Sequence, residues 1–252
     1  MVSFISNNLF RVITRYSSTN VARKSGIVAD SGKKTTNSNL VLYGDEASPP
    51  VRFVLMVAAM LDIKYDYKHI DLFKEENKSA SFTKINQLQK VPAMQIGDNV
   101  ICDSHAIALY LCHAEGSHRL YPEDPVSRAL IDQTLFFNSG TLFPIDSYIY
   151  SEYFRGIWPA DDAKIEQWHS ALDRLEHLLA NQMWLAYHKV TLADLCCATT
   201  VSSLQLLVPP LDRHVKVKQW LDRLKNNSCY EINIRGLERL KSCISKVNIK
   251  TA

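Results

Sequence analysis

A serine followed by two prolines, Ser48-Pro49-Pro50, stands between a short apolar run (Val41, Leu42, Tyr43) and a second apolar stretch beginning at Val51. Serine is a good helix N-cap, and proline fits the first helical turn, where its missing N–H costs nothing. One reading of the motif is therefore a helix cap and nothing more. The other is chemical. A strand-turn-helix entry sets the hydroxyl beside a helix N-terminus, where free N–H groups and the macrodipole favour an anion. A hydroxyl there can donate to a thiolate and so keep ionised a thiol that otherwise titrates near ~8.5. About 55 residues on, Asp103 and Ser104 occupy a second strand-to-helix turn. A carboxylate and a hydroxyl next to free amides can hold the zwitterionic end of an amino acid. Between the two turns, Val91-Pro92 precedes a strand. A cis proline at that point would expose the Val91 backbone for antiparallel pairing with a bound peptide.

Two regimes of elements must position these residues. Residues 40–115 mix strands with helices. NLVLYG reads as a strand, PPVRFVLMVAAMLDI as a helix and KYDYKHIDL as an alternating strand. A helical patch follows near 79–86, then a hairpin (PAMQI, VICD) around a Gly-Asp-Asn turn, then the helix SHAIALYLCHA. From residue 126 the strand signals stop, and five stretches carry helical periodicity, the first running unbroken from Ser127 to Phe154. That half reads as a helical bundle. Thr191 and Asp194 in TLAD fit a capping box, with Val190 as the staple. The expected organisation is an extension over 1–38, an α/β domain over 39–117, a linker over 118–125 and an all-helical domain over 126–252.

Composition narrows the class. The chain has 252 residues, 46% apolar and 22% charged, which is ordinary for a globular protein. No apolar run approaches the roughly 20 residues of a membrane span. The net charge of +3 sits in the first 38 residues, which hold six bases and one acid; the other 214 hold 23 bases and 25 acids. A basic nucleic-acid-binding body is therefore not expected. Cys102, Cys112, Cys196, Cys197, Cys229 and Cys243 show no CxxC and no metal-ligand spacing. They read as reduced cysteines of a reducing compartment, with no metal.

The stretch before Asp30 carries no acid, is rich in Arg and Ser, and repeats Val2, Ile5, Leu9, Val12 and Tyr16 at helical spacing. This is the composition of a mitochondrial transit peptide. The alternatives are an uncleaved extension or an early start codon. A cytoplasmic location is expected, with the mitochondrial matrix as the other reading.

SPPVR (48–52), Val91-Pro92, DSHAI (103–107), LYP (120–122) and TLAD (191–194) stand in a particular order and spacing. In that order residues 40 to about 245 resemble the cytosolic glutathione transferases of the insect epsilon class. Within it the chain is most similar to the Noppera-bo subgroup. The shared features are Asp45-Glu46 ahead of SPPVR, DLFK (71–74), Leu142-Phe143 with Asp146-Ser147, and Tyr230-Glu231 followed by GLERL (236–240). The resemblance implies a thioredoxin-like N-terminal domain, an all-helical C-terminal domain, a homodimer and glutathione as co-substrate. It implies transfer of the glutathione sulfur to hydrophobic electrophiles, with a part in ecdysteroid biosynthesis or sterol handling. A glutathione-binding steroid carrier with weak catalysis is the alternative.

Residue by residue, the resemblance implies that Ser48 donates to the glutathione sulfur and that Val91, beside a cis Pro92, pairs with the cysteinyl unit. Asp103 and Ser104 hold the γ-glutamyl end. One position departs from the family. A histidine that contacts the glycyl carboxylate is replaced by Gln89, and Lys90 beside it either supplies the lost charge or is solvated. Phe73 and Phe143 are either cavity walls or core. Asp146 lies on the face of Phe143 and is either solvated or kept for a ligand. The resemblance implies a ligand role, accepting a hydrogen bond from a sterol hydroxyl. Ser147 and Tyr150 fall on or near that face. His105 is a helix-start residue or, as the resemblance implies, a dimer contact.

Overall fold

The computed structural model describes residues 40–116 and 118–249. The transit-like reading of residues 1–38 lies outside the described residues. β1 (Leu40–Gly44) leads through the 45–48 loop into α1 (Pro49–Met60) and back to β2 (Asp66–His69), which pairs parallel to β1. α2 (Ala80–Ile85) precedes the hairpin β3 (Ala93–Ile96) and β4 (Asn99–Cys102), and α3 (Ser104–Ala114) follows. The sheet order is β2-β1-β3-β4, with β3 antiparallel to both its neighbours. The strands read from the sequence therefore form one small sheet, with β1 and β2 parallel and the other pairs antiparallel.

β2 is shorter than the alternating pattern suggests. The side chain of Asp71 accepts from the backbone N–H of Phe73 and Lys74 and winds the chain into a 3-10 turn, Leu72–Lys74. That local bond competes with the sheet ladder and ends the strand.

The remaining elements are helices: α4 (Pro125–Phe137), α5 (Phe143–Phe154), α6 (Asp162–Leu178), α7 (Leu192–Leu204), α8 (Val215–Leu224) and α9 (Tyr230–Ile244). The run expected as one helix to Phe154 is interrupted by a wider π turn, Asn138–Leu142. Pro144, near the start of α5, lacks an N–H and its ring crowds the preceding turn, which a π turn relieves. The 118–125 connection is packed rather than loose. Leu120 and Tyr121 are buried, Leu120 O accepts from Leu192 N–H at 3.1 Å, and the Tyr121 hydroxyl donates to Asp132. At the mouth of α7, Asp194 is wholly buried and its carboxylate accepts from Thr191 N–H, Thr191 Oγ1, Leu185 N–H and Trp220 Nε1. The capping box thus also anchors α8.

α1 is the hub. It packs on the sheet side against α3 and on the helical side against α7 and α9, and eight of its residues, Val51 to Ala58, are buried. One of the eight is charged. Arg52 is fully buried and spends every guanidinium N–H on the protein. Nε donates to Asn233 Oδ1 at 2.8 Å, Nη1 to Glu46 O and Ala47 O at 2.9 and 2.7 Å, and Nη2 to Thr199 O at 3.2 Å and to Ser203 Oγ. α9 reaches this arginine because residue 236 is glycine: a methyl group there would collide with the Arg52 stem and with Glu46 O.

Gly236→Ala is expected to cost ~1–3 kcal/mol or more through overpacking. Gly140→Ala, where a methyl group meets nothing within 4 Å, is the internal control and should not destabilise. Urea unfolding of the two variants beside the parent protein checks this; equal midpoints would remove Gly236 from the account.

Candidate functional site

Ser48 is the N-cap of α1 by backbone conformation, yet its hydroxyl makes no capping hydrogen bond. Its backbone does the local work: Ser48 N–H donates to Asp45 O at 2.9 Å, and Ser48 O accepts from Arg52 N–H at 3.1 Å. Pro49 and Pro50 fill the first two helical positions, so two N–H groups that a bare helix mouth would offer an anion are absent. The hydroxyl itself is left as the donor facing outward.

The loop that carries it is clamped. Asp45, fully buried, accepts from Ala47 N–H at 3.0 Å and Leu72 N–H at 3.1 Å, and takes a bidentate pair from Arg239 Nε and Nη2 at 2.5 and 2.8 Å. Burial pushes the Asp45 carboxyl up, but the Arg239 bond and the two backbone N–H bonds outweigh it and hold it below the usual carboxylate range. Glu46 makes a second bidentate pair with Arg235 at 2.7 and 2.8 Å. α9 therefore holds both acids of the loop that ends in Ser48.

Val91-Pro92 is a cis peptide, as its position before β3 suggested. Asp103 caps α3 with a positive φ of 102°. Its Oδ1 accepts from His105 N–H at 2.8 Å and Ala106 N–H at 3.1 Å and lies 3.4 Å from His105 Nδ1. All three contacts fall on one oxygen of a carboxylate that is 61% exposed, and the His105 bond, helped by Ala106, holds its pKa below the ordinary value. Ser104 is buried beside it. His105 turns inward: its Nε2 meets Cys196 Sγ at 3.3 Å and its ring tilts against Phe53. Gln89 also has a positive φ, 55°; its amide donates to Thr83 Oγ1 at 3.1 Å and its carbonyl accepts from Asn77. Lys90 is exposed.

Ser48, Phe73, Phe143, Asp146, Ser147 and Tyr150 line one cavity of about 540 Å³. The sequence reading named all six. It did not assign Ala47, Leu72, Glu75, Phe154 and Leu240 to the cavity; with Pro49 these complete the wall. Phe154, at the end of α5, lies edge-on to Phe73 at 5.3 Å between centroids and stacks on Tyr150 at 5.9 Å. Tyr150 gives only its ring to the cavity, because its hydroxyl donates to Ser203 O at 2.6 Å. Asp146 is 3% exposed and its Oδ1 has no hydrogen-bond partner. Burial pushes its carboxyl up to about 8, a rise that the positive charge of Arg52 limits but does not reverse. Arg52 is itself pushed down by burial, to about 10, and stays charged.

The glutathione S-transferase N-terminal domain model matches residues 42–119 and the C-terminal domain model residues 141–227. Glutathione S-transferase 1 of Manduca sexta is 34% identical over 197 residues, spanning 76% of this chain and 90% of the relative. The chain belongs to the glutathione S-transferase family. An epsilon-class glutathione S-transferase from the housefly Musca domestica superposes with a TM-score of 0.80 at 32% identity, covering 84% of this chain and 100% of the other. A glutathione transferase homologue from Drosophila mojavensis, solved with bound glutathione, gives 0.79 at 33% identity over 84% of this chain and 99% of its own. The expected fold holds: a thioredoxin-like N-terminal domain with a mixed sheet, followed by a helical C-terminal domain.

The Asp45–Arg239 clamp carries a pH signature. Asp45 has a depressed folded-state pKa, so its contribution to stability is present above the unfolded carboxylate value of about 4 and is lost as pH falls through the folded value. Arg239→Met is therefore expected to lower Tm at pH 7 and to lose most of that deficit as pH falls through the depressed folded value of Asp45. Thermal unfolding across this range checks it; a deficit that does not change with pH would contradict the assignment.

Proposed function

We propose that this glutathione S-transferase family member binds glutathione along β3 and the mouth of α3, and activates its thiol with Ser48. Val91 pairs its backbone with the cysteinyl unit. Asp103 takes the α-amino group and Ser104 the γ-glutamyl carboxylate. Gln89 and Lys90 lie toward the glycyl end, where Lys90 can supply the positive charge. The sulfur then faces the 540 Å³ cavity, which holds a hydrophobic electrophile. The observation that carries this reading is the Ser48 hydroxyl, free of capping bonds on the wall of that cavity. One hydrogen bond to a thiolate is worth ~1.5–3 kcal/mol, about one to two units of thiol pKa.

The aromatic lining and the buried acid within it, Asp146, support the finer reading. On it the chain belongs with the Noppera-bo subgroup, and the second substrate is a sterol or ecdysteroid precursor in ecdysteroid biosynthesis. A steroid carrier with weak catalysis is the second reading, and Gln89 in place of the family histidine is what favours it. We further propose a homodimer. Val126, Leu130 and Phe136 leave one side of α4 apolar and 68%, 45% and 72% exposed, and a partner copy would cover them.

Ser48→Ala is expected to lower glutathione-dependent turnover of a chromogenic aryl halide at neutral pH by about tenfold or more, and to raise the pH at which turnover reaches half its maximum by about one unit. Steady-state rates from pH 6 to 10 check both. An unchanged profile would remove Ser48 from the mechanism. Absence of turnover in the parent protein, with tight sterol binding, would favour the carrier.

A further inference from the structure

Thiol activation by Ser48 leaves unused a line of three polar side chains behind the mouth of α3. Asp103 Oδ1 lies 3.4 Å from His105 Nδ1, and on the far side of the ring His105 Nε2 meets Cys196 Sγ of α7 at 3.3 Å. Cys196 is buried, and burial pushes its thiol well up, so the sulfur keeps its hydrogen. The S–H is then the donor and Nε2 the acceptor. A ring that accepts at Nε2 carries its hydrogen on Nδ1, facing Asp103. Phe53 of α1 packs at a tilt against the same ring, 5.9 Å between centroids, and limits its rotation. Thiol, imidazole and carboxylate thus donate in sequence, from α7 to the N-terminus of α3.

This line loads one carboxylate oxygen and spares the other. Oδ1 takes the His105 N–H, the Ala106 N–H and the imidazole, and among the described residues nothing bonds Oδ2. Asp103 also holds a φ of 102°, a conformation that a residue with a side chain keeps when its surroundings impose it. A carboxylate with a fixed plane and one open oxygen, on the exposed side of the cap, is set to receive a cation.

We propose that His105, with its hydrogen held on Nδ1 by the Cys196 thiol, is a positioning residue: it pins Asp103 through Oδ1 and aims Oδ2 at the α-ammonium of the γ-glutamyl unit. The inference rests on the reading of Asp103 as the ammonium contact and adds what orients it. Its consequence is specificity. A carboxylate already aimed loses less freedom when the ammonium arrives, so the line favours thiols that carry a γ-glutamyl ammonium over the same thiol without one.

The test is calorimetric titration of the full chain with glutathione and with glutaryl-cysteinylglycine, which keeps the thiol and both carboxylates and lacks the ammonium. The parent protein should bind glutathione more tightly. His105→Ala should weaken glutathione by about fivefold or more, part of the roughly ten- to hundredfold that a charged hydrogen bond carries, and should leave the glutaryl compound unchanged. His105→Asn, with an amide near the place of Nδ1, should restore most of the preference, while His105→Gln, with its amide at the place of Nε2, should not. Cys196→Ala should lose part of the preference and Cys196→Ser should keep it, with thermal unfolding confirming that each variant folds. Nitrogen-15 NMR of the parent should find the His105 hydrogen on Nδ1. Equal loss for both thiols in His105→Ala, an unchanged preference in that variant, or a neutral ring with its hydrogen on Nε2 overturns the proposal and leaves the ammonium contact standing. A parent protein that binds the two thiols equally overturns the ammonium contact itself, and this proposal with it.

Discussion

Burying an arginine is expensive unless each of its donors finds an acceptor, and Arg52 meets that condition with five acceptors drawn from three parts of the chain. Glu46 O and Ala47 O belong to the loop before α1, Thr199 and Ser203 to α7, and Asn233 to α9. The α1 helix of the sheet half is therefore joined to two helices of the other half through a single planar group. Lysine, with a compact ammonium and three donors, could not reach the same set. The packing around it is built to match: Gly236 lets α9 approach, and Asn233 Nδ2 donates to Ser202 Oγ at 3.0 Å, holding its own oxygen toward the guanidinium.

The site inherits its geometry from that junction. Glu46 and Ala47, whose carbonyls accept from Arg52, immediately precede Ser48, so fixing the arginine fixes the loop that presents the hydroxyl. Asp45, held by Arg239, closes the other end. The same arginine shapes the electrostatics of the cavity by what it withholds. Because its donors are committed elsewhere, it lends Asp146 a nearby positive charge but no hydrogen bond, and burial then decides the protonation state. A structural arginine and a cavity acid are thus coupled without touching.

Much of this was legible in the sequence, for identifiable reasons. Ser48, the Val91-Pro92 cis peptide and the Asp103 cap sit at element boundaries, where residue type and backbone conformation are tightly linked, so local pattern suffices. Asp146 was visible as a lone acid on an apolar helical face. Two features were not legible. The π turn at Asn138–Leu142 depends on how Pro144 meets the turn before it, and periodicity alone reads the run as a single helix. The roles of Arg52 and Arg239 depend on partners 181 and 194 residues away, beyond any local window. A charged residue inside the otherwise apolar stretch PPVRFVLMVAAM, and a glycine inside the helical stretch of α9, were the signals available.

The measurement that bears most directly on this account is the titration of the Asp146 carboxyl itself, followed by NMR in protein labelled at the aspartate carboxyl carbon and assigned with Asp146→Asn. The account predicts a midpoint near 8, with Asp146 protonated at neutral pH. A midpoint near the ordinary aspartate value of about 4 would mean that Arg52 or solvent stabilises the carboxylate after all, and would contradict the claim that the arginine is fully committed to the fold.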